Sequence, residues 1–219
     1  MPDSLWVIIP AHNEQKTIAQ VIKQTKKFCK KIVVVDDGSK DSTSQLAEGQ
    51  QVVVLKHIIN LGKGAALKTG CDFAVSQGAK KMVVMDSDGQ HDPAMIPVFL
   101  DKLKKVNIVF GYRRFDKNMP FIMKFGNWFI NNAVWFLYRI KLKDTQSGYR
   151  AFTADAYEKI RWKALDYSME SEMIANAAKS KLRYAEIPIK TIYANKYKGT
   201  TVLDGIRIVF NMIFWKVKR

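Results

Sequence analysis

Three acidic residues, Asp86, Asp88 and Asp92, lie close together after the apolar run Met82–Met85. Ionised carboxylates repel one another at such short separations, so this segment predicts a positively charged partner nearby. Side chains two residues apart on an extended chain point the same way, which would let Asp86 and Asp88 hold one divalent cation. Gln90 could add an amide oxygen. Mg²⁺ and Mn²⁺ prefer such oxygen ligands and share them readily with a diphosphate.

Two other residues of this segment have simpler interpretations. Asp92 directly precedes Pro93, a pattern typical of a helix start, so Asp92 is expected to cap a helix. His91 could ligate the cation or contact a phosphate. A histidine beside such a pair more commonly supports a neighbour through a hydrogen bond, and the sequence leaves these alternatives open.

A second acidic turn, DDGSKDST, begins at Asp36. Asp41 or Ser42 can cap the helix that follows it. Capping does not require Asp36 and Asp37 as well. Carboxylates at a strand tip are well placed to accept hydrogen bonds from ribose hydroxyls or a base N–H. Lys63, in the segment NLGKGAAL, could then contact a diphosphate as a point charge.

Two common phosphate-binding motifs are excluded. The chain contains no GxxxxGK[ST] segment, and GKGAAL has Leu67 where the dinucleotide fingerprint requires its third glycine. The sequence therefore predicts neither a P-loop nor a dinucleotide-binding loop.

Short apolar runs alternate with helical patterns in the first half of the chain, which is typical of an α/β protein with a parallel sheet covered on both faces. The predicted strands are Leu5–Ile9, Ile32–Val35, Val52–Leu55, Met82–Met85 and Ile108–Phe110. Ligands of such doubly wound sheets bind beyond the carboxyl ends of the strands. The polar turns after the first four strands are therefore expected to converge on one site.

The second half of the chain is less regular. Met119–Ile140 is aromatic and apolar but interrupted by polar residues, so we predict an amphipathic helix rather than a membrane-spanning one. This helix would lie in a membrane interface or pack on the sheet. Val202–Val217 is a second amphipathic segment. The other predicted elements are a strand within Asp144–Phe152, helices from Ala154 to about Trp162 and from Met169 to Ser180, and an edge strand Leu182–Ile189.

Basic charge is unevenly distributed along the chain. The formal net charge is +16; residues 1–100 hold 12 Lys/Arg against 10 Asp/Glu, whereas residues 101–219 hold 24 against 10. An excess confined to one half indicates a surface that meets phospholipid, a phosphorylated substrate or nucleic acid. A nucleic-acid-binding protein is the alternative from another class, but no such binding motif is recognisable and the acidic strand tips would remain unexplained.

Composition also bears on the compartment. Two cysteines, Cys29 and Cys71, indicate neither a disulfide framework nor a zinc site, which favours a reducing compartment. The apolar run at the N-terminus is short and lacks a basic leader, so no signal peptide is expected. A hydrophobic content of 47% excludes a disordered chain.

Six segments together resemble family 2 glycosyltransferases of the GT-A fold. They are VIIPAHNE, VVVDDGSKDST, NLGKGAAL, VMDSDGQHDP, DTQSGYRAF and YSMESEM, in the right order between about residues 5 and 190. DxDGQHxP followed by DTxSG[YF]R more narrowly resembles the dolichyl-phosphate mannosyltransferase and polyprenyl-phosphate glycosyltransferase branch. The resemblance implies a single GT-A domain over residues 1–219, an α/β fold whose doubly wound, mostly parallel sheet is flanked by helices.

The resemblance also implies a role for each motif. The nucleotide sugar would contact Pro10, Ala11, Asn13, Glu14, Asp36, Asp37, Lys63 and Asp86, in a donor half formed by residues 1–112. Mg²⁺ or Mn²⁺ would be held by Asp86, Asp88 and Gln90. The acceptor phosphate would be received by Arg113, Arg114, Ser147 and Arg150, in a membrane-facing half formed by residues 113–219. The catalytic residues would then be Asp86, Asp88, Arg113 and Arg150.

The implied reaction transfers a hexose, with inversion, from GDP-mannose or a UDP-hexose to dolichyl or polyprenyl phosphate. The acceptor phosphate is already an anion, so no strong base is required. Glu170 and Glu172 could act as a base, as in relatives that use sugar hydroxyls, or could pair with Lys or Arg. A cytoplasmic protein, peripheral on the cytosolic face of an anionic membrane and without a nucleic-acid partner, is expected. The alternative within the family is transfer to a glycan or protein hydroxyl.

Overall fold

The computed structural model describes residues 4–113, 121–166, 168–190, 210–214 and 216, with side chains of the helix 121–138 described from Trp128 onward. A seven-stranded sheet runs through this part of the chain. Its strands are β1 (Leu5–Ala11), β2 (Ile32–Asp36), β3 (Val53–Lys56), β4 (Lys81–Val84), β5 (Ile108–Arg113), β6 (Arg150–Thr153) and β7 (Tyr184–Ile189).

The strand order is β3-β2-β1-β4-β6-β5-β7. Strand β6 is antiparallel to β4 and β5, and the other neighbouring pairs are parallel. The predicted α/β class and mostly parallel sheet are therefore confirmed. Among the strands that the structure describes, β7 pairs with β5 alone, as predicted for an edge strand. An edge tolerates Pro188 because that residue has no N–H to donate.

Helices cover both faces of the sheet. They are α1 (Ile18–Thr25), α2 (Thr43–Glu48), α3 (Lys63–Ser76), α4 (Ile96–Lys102), α5 (Phe121–Tyr138), α6 (Ala154–Ile160) and α7 (Met169–Lys179). The helix predicted at Pro93 begins with a 3₁₀ turn, Pro93–Met95. Asp92 caps it as predicted, since its Oδ1 accepts a hydrogen bond from the Ala94 N–H at 2.9 Å.

The continuous apolar runs are explained by two cores, one on each face of the sheet. Ile9 lies in the core shared with α1, α2 and α4, whereas its neighbour Ile8 lies in the core shared with α3, α5, α6 and α7. Successive strand residues point to opposite faces, so a strand buried on both faces has no polar alternation. Each such side chain contributes about 1.5–3 kcal/mol through its burial.

The predicted amphipathic segments fall only partly within the described residues. Helix α5 covers Met119–Ile140 except at its ends, whereas Val202–Val217 is described only at residues 210–214 and 216, which are helical. Within the described ranges, no helix is both long enough and apolar enough to cross a bilayer.

The N-terminus of α3 is closely covered by the segment that follows α6. The Gly64 N–H donates to the Leu165 carbonyl at 2.7 Å, and the Trp162 indole donates to the Gly64 carbonyl at 2.8 Å. A Cβ on Gly64 would lie 2.4 Å from the Ala164 carbonyl oxygen. Glycine is therefore required here by a close approach of two backbones.

We expect Gly64→Ala to lower the free energy of unfolding by about 1–3 kcal/mol, because one of the two backbones must move. Gly49→Ala is the matched control. Gly49 ends α2 in a helical conformation, and its added Cβ would make an ordinary 3.4 Å contact with the Gln45 carbonyl. That variant should be unchanged or up to about 1 kcal/mol more stable. Urea unfolding of both variants checks this pair, and equal losses would contradict the close approach.

Candidate active site

Lys63, the first residue of α3, lies at the centre of the site. Its Nζ donates to Asp86 Oδ1 at 2.8 Å and to Glu170 Oε1 at 3.2 Å. Asp86 follows β4 after Met85 and lies in the same turn as Asp88, and Glu170 lies in the first turn of α7. Burial would lower the pKa of Lys63, but the two carboxylates raise it above its usual range. One ammonium group therefore stays charged and joins three elements.

Asp86 remains ionised within this arrangement. Burial by itself would raise the pKa of its carboxyl group, but Lys63, His91 and Arg113 together lower that pKa to about 2. The carboxylate is partly exposed, so it presents a fixed negative charge to the site at neutral pH.

His91 is hydrogen-bonded to the backbone of Asp86. Its Nδ1 accepts a hydrogen bond from the Asp86 backbone N–H at 3.0 Å, and its Nε2 lies 3.8 Å from Asp86 Oδ2. Burial lowers the pKa of His91 to about 4, so the ring is neutral, with its proton on Nε2. The ring stacks on Tyr149 with centroids 4.8 Å apart. Of the roles left open by the sequence, this geometry matches the hydrogen-bonded one.

Gly148 allows the DTQSGYRAF loop to cover the ion pair. A Cβ at this position would lie 2.8 Å from Lys63 Nζ and 2.9 Å from both carboxylate oxygens of Asp86. The glycine of this motif is therefore needed because the loop backbone contacts two charged side chains directly.

The charged form of Asp88 is disfavoured by its surroundings. Its Oδ1 accepts a hydrogen bond from the Gln90 N–H at 3.0 Å, but burial and the negative charges of Asp86 and Glu14 raise its pKa. A divalent cation would relieve this repulsion, and oxygen donors from Asp86, Asp88 and Gln90 suit Mg²⁺ or Mn²⁺. Over the ranges that the structure describes, no group of three or more His, Cys, Asp or Glu is arranged for a metal. Mg²⁺ is commonly held by one or two carboxylates together with substrate phosphates, so the residues present fit a cation bound with its substrate.

Arg113, the last residue of β5, is held rigidly by Asp144. Its Nε and Nη2 donate to the two carboxylate oxygens of Asp144 at 2.7 and 3.0 Å, and its backbone N–H donates to the same group at 3.2 Å. Asp144 is fully buried, whereas the Arg113 side chain is 22% exposed. The guanidinium is therefore fixed at the rim of the site, close enough to lower the pKa of Asp86.

Arg150 and Ser147, expected to receive the acceptor phosphate, are both buried. Arg150 is 1% exposed, and its guanidinium donates to the carbonyls of Ser147, Glu170 and Thr145 at 2.8–3.0 Å. Ser147 is also buried, and its hydroxyl accepts from the Tyr149 N–H. Arg150, the first residue of β6, thus joins the loop to α7 through these hydrogen bonds. Arg114 lies outside the described residues.

Asp36 and Asp37, expected to bind the nucleotide sugar, are likewise buried. Asp37 Oδ1 lies 2.7 Å from His57 Nδ1 and accepts from the Leu61 N–H, and Asp37 Oδ2 accepts from the Gly62 N–H. Asp36 accepts hydrogen bonds from the Ser39 N–H and the Ser44 hydroxyl. These carboxylates shape the two turns that border the site.

The residues at the tip of β1 that are expected to contact the nucleotide sugar lie beside the turn that follows β2. Pro10 and Ala11 are buried at the end of the strand. Asn13 adopts φ 54°, donates its N–H to the Ser39 hydroxyl and accepts from the Lys40 N–H. The Glu14 N–H donates to the Thr43 hydroxyl. The tips of β1 and β2 therefore form one connected border.

The family model described as Glycosyl transferase family 2 matches residues 6–161. The chain belongs to this family. UDP-N-acetylglucosamine–dolichyl-phosphate N-acetylglucosaminyltransferase of Methanococcus voltae is 33% identical, over 99% of this chain and 98% of that protein. Polyprenol monophosphomannose synthase of Mycolicibacterium smegmatis is 27% identical, over 97% and 86% of the two chains.

Solved structures of glycosyltransferases share the fold. Glucosyl-3-phosphoglycerate synthase from Mycobacterium tuberculosis, in complex with Mn²⁺, uridine diphosphate and phosphoglyceric acid, superimposes with a TM-score of 0.75. It is 18% identical, and the match covers 97% of this chain and 78% of that one. The GT-A architecture expected for a family 2 glycosyltransferase is therefore confirmed.

Several residues that build this glycosyltransferase site were not singled out by the sequence. Asp144 and Gly148 lie within DTQSGYRAF, but their contacts with Arg113 and with the Lys63–Asp86 pair depend on tertiary structure. Glu170 pairs with Lys63, which matches the pairing alternative. Glu172 instead accepts hydrogen bonds from the N–H groups of residues 163 and 164 and fixes the segment over α3.

Proposed function

We propose that this family 2 glycosyltransferase transfers a hexose from a nucleotide diphosphate sugar to dolichyl or polyprenyl phosphate, with inversion. The observation that carries the proposal is the fixed guanidinium of Arg113 beside the acidic pair Asp86 and Asp88. Such a site can accommodate a cation-bound donor diphosphate next to an anionic acceptor. The relatives named for dolichyl phosphate and polyprenol, matched over nearly the whole chain, support this acceptor class.

On the donor side, Asp88, Asp86 and Gln90 would hold Mg²⁺ or Mn²⁺. When bound, this cation supplies positive charge against the diphosphate that leaves. Lys63 orients Asp86 and adds a second positive charge within the site, where preorganised charges stabilise a developing anion without rearrangement. GDP-mannose and the UDP-hexoses are the candidate donors.

On the acceptor side, Arg113 would bind the lipid phosphate. A phosphate oxygen is anionic at neutral pH, so it can attack the anomeric carbon without a strong base. The new carbon–oxygen bond forms as the bond to the nucleotide diphosphate breaks on the opposite side, which inverts the anomeric centre. Glu170 is bound to Lys63 and is not required to accept a proton.

We further propose that the protein acts while bound peripherally to the cytosolic face of a membrane. Helix α5 and residues 210–214 present a set of exposed apolar side chains, here called the helical apolar face. They are Trp128, Phe129, Trp135, Phe136, Phe210, Ile213 and Phe214. Such residues can bury shallowly among lipid headgroups, and the basic excess of residues 101–219 would favour an anionic surface.

A transfer assay tests the proposed function directly. GDP-mannose, UDP-glucose and UDP-N-acetylglucosamine are each supplied with Mn²⁺ and either a short polyprenyl phosphate or free sugar acceptors. We expect a glycosyl phospholipid from at least one donor. Transfer to sugar hydroxyls alone would support the alternative within the family and contradict the lipid phosphate acceptor.

We expect Asp88→Asn to slow transfer by about a thousandfold, because an amide contributes no negative charge to the cation. Its unfolding curve should match that of the wild type or show higher stability, since the raised pKa of Asp88 marks an unfavourable buried charge. Near-normal turnover by the wild-type protein in EDTA would disprove the metal assignment.

Arg113→Ala should weaken the use of polyprenyl phosphate far more than it weakens nucleotide binding, which calorimetry measures separately. Arg150→Met is compared with this variant because Arg150 is a buried arginine, whose loss should affect stability. Arg150→Met removes the guanidinium hydrogen bonds to the carbonyls of Thr145, Ser147 and Glu170 in the buried interior and should lower the free energy of unfolding by about 3 kcal/mol or more. Equal loss of nucleotide affinity in Arg113→Ala would assign Arg113 to the donor side.

A further inference from the structure

The loop between β3 and α3 exposes large aliphatic side chains close to the site. Ile58 is 99% exposed, Ile59 64% and Leu61 43%. Leu165 is 58% exposed, and its carbonyl accepts a hydrogen bond from the Gly64 N–H at the end of this loop. These four side chains are called the loop patch. Single exposed apolar residues are common on soluble proteins, but a group at one loop tip indicates a binding surface.

The backbone of this loop is fixed by hydrogen bonds and close packing with residues of neighbouring elements. Asp37 accepts hydrogen bonds from the Leu61 and Gly62 N–H groups, and His57 bridges Asp37 and Thr69. Gly38 packs so tightly against the loop that a Cβ there would lie 2.5 Å from the Ile59 carbonyl carbon. The aliphatic side chains are therefore held outward by a well-bonded loop.

A chain of contacts connects the loop patch with the helical apolar face. Leu165 lies three residues before Ser168, whose hydroxyl accepts a hydrogen bond from the Asn211 side chain at 3.2 Å. The Tyr138 hydroxyl of α5 donates to the Met212 carbonyl at 2.6 Å. The two apolar groups thus border the N-terminus of α7, where Glu170 pairs with Lys63.

We infer that the loop patch is a second membrane contact, through which the donor half enters the headgroup region of the bilayer that the helical apolar face binds. This inference rests on the proposed function, because the acceptor's hydrocarbon tail requires the site to reach a bilayer. Exposed Lys163 lies two residues before Leu165, and exposed Lys40 lies two residues after Gly38, which packs against Ile59; both suit anionic headgroups. The nearby acids Asp41 and Asp166 instead accept hydrogen bonds from backbone N–H groups.

Site-specific fluorescence tests this contact. Both native cysteines are buried, so a cysteine introduced at the surface can be labelled on the folded protein with an environment-sensitive dye. Ile58→Cys reports on the loop patch and Phe214→Cys on the helical apolar face. Val98→Cys is the control, since Val98 is an exposed apolar residue of α4, on the opposite face of the sheet.

Vesicles of phosphatidylcholine with phosphatidylglycerol should shift the dye emission to the blue at positions 58 and 214 but not at 98. A response at 214 without one at 58 would overturn this inference and leave the proposed membrane location intact. No shift at either position 58 or position 214 would overturn both this inference and the proposed membrane location. A shift at all three positions would indicate non-specific adsorption and would also overturn the inference. A shift at 58 that depends on protein concentration without vesicles would assign the patch to a second copy of this chain.

A paired substitution gives an independent readout. Replacing Ile58 and Ile59 together by serine should reduce co-sedimentation with the same vesicles several-fold, because it removes the apolar tip of the loop. Leu46→Ser, which replaces an exposed leucine of α2, is the control and should leave co-sedimentation unchanged. All three positions are exposed in the folded chain, so the unfolding curves should stay close to that of the wild type. Equal vesicle binding by the paired variant and the control would contradict the inference.

Discussion

The buried ion pairing of Lys63 with Asp86 and Glu170 is the interaction on which the rest of the site depends. Burying charged groups is costly unless each one is paired, and here one ammonium compensates two carboxylates. Glu170 Oε2 has no hydrogen-bond partner among the residues described, whereas its other oxygen, Oε1, contacts the Lys63 ammonium. Because the three residues belong to α3, to the turn after β4 and to α7, losing the ammonium would loosen the contact between both halves of the chain.

The other features of the site are arranged around this ion pairing. Gly148 brings the DTQSGYRAF loop onto it, Arg150 joins that loop to the Glu170 backbone, and His91 fixes the backbone of Asp86. Asp88 and Arg113 carry opposite charges, and each interacts electrostatically with Asp86. In this site, the residues that stabilise the structure differ from the residues that can bind substrates, although both sets come from the same short motifs.

Much of this architecture could be predicted from the sequence because it depends on local patterns. Buried parallel strands require continuous apolar runs, and the position of the acidic turns after those runs predicted where the site would form. Arg113 and Arg150 show the limit of such reasoning. Both residues adjoin strands of the second half, and only the packing of β6 against β4 and β5 decides that Arg150 faces inward. Lys63 likewise could be placed at the helix start, but its pairing with Glu170 joins residues more than a hundred positions apart.

A double-mutant cycle between Lys63→Met and Glu170→Gln, measured by urea unfolding, tests the role of this ion pairing most directly. Lys63→Met alone should lower the free energy of unfolding by about 3–5 kcal/mol, because it leaves two carboxylates without their cation. Adding Glu170→Gln should recover part of that loss, with a coupling energy of about 1 kcal/mol or more between the two positions. Additive losses from the two substitutions would show that Lys63 does not compensate Glu170, and would contradict the arrangement described here.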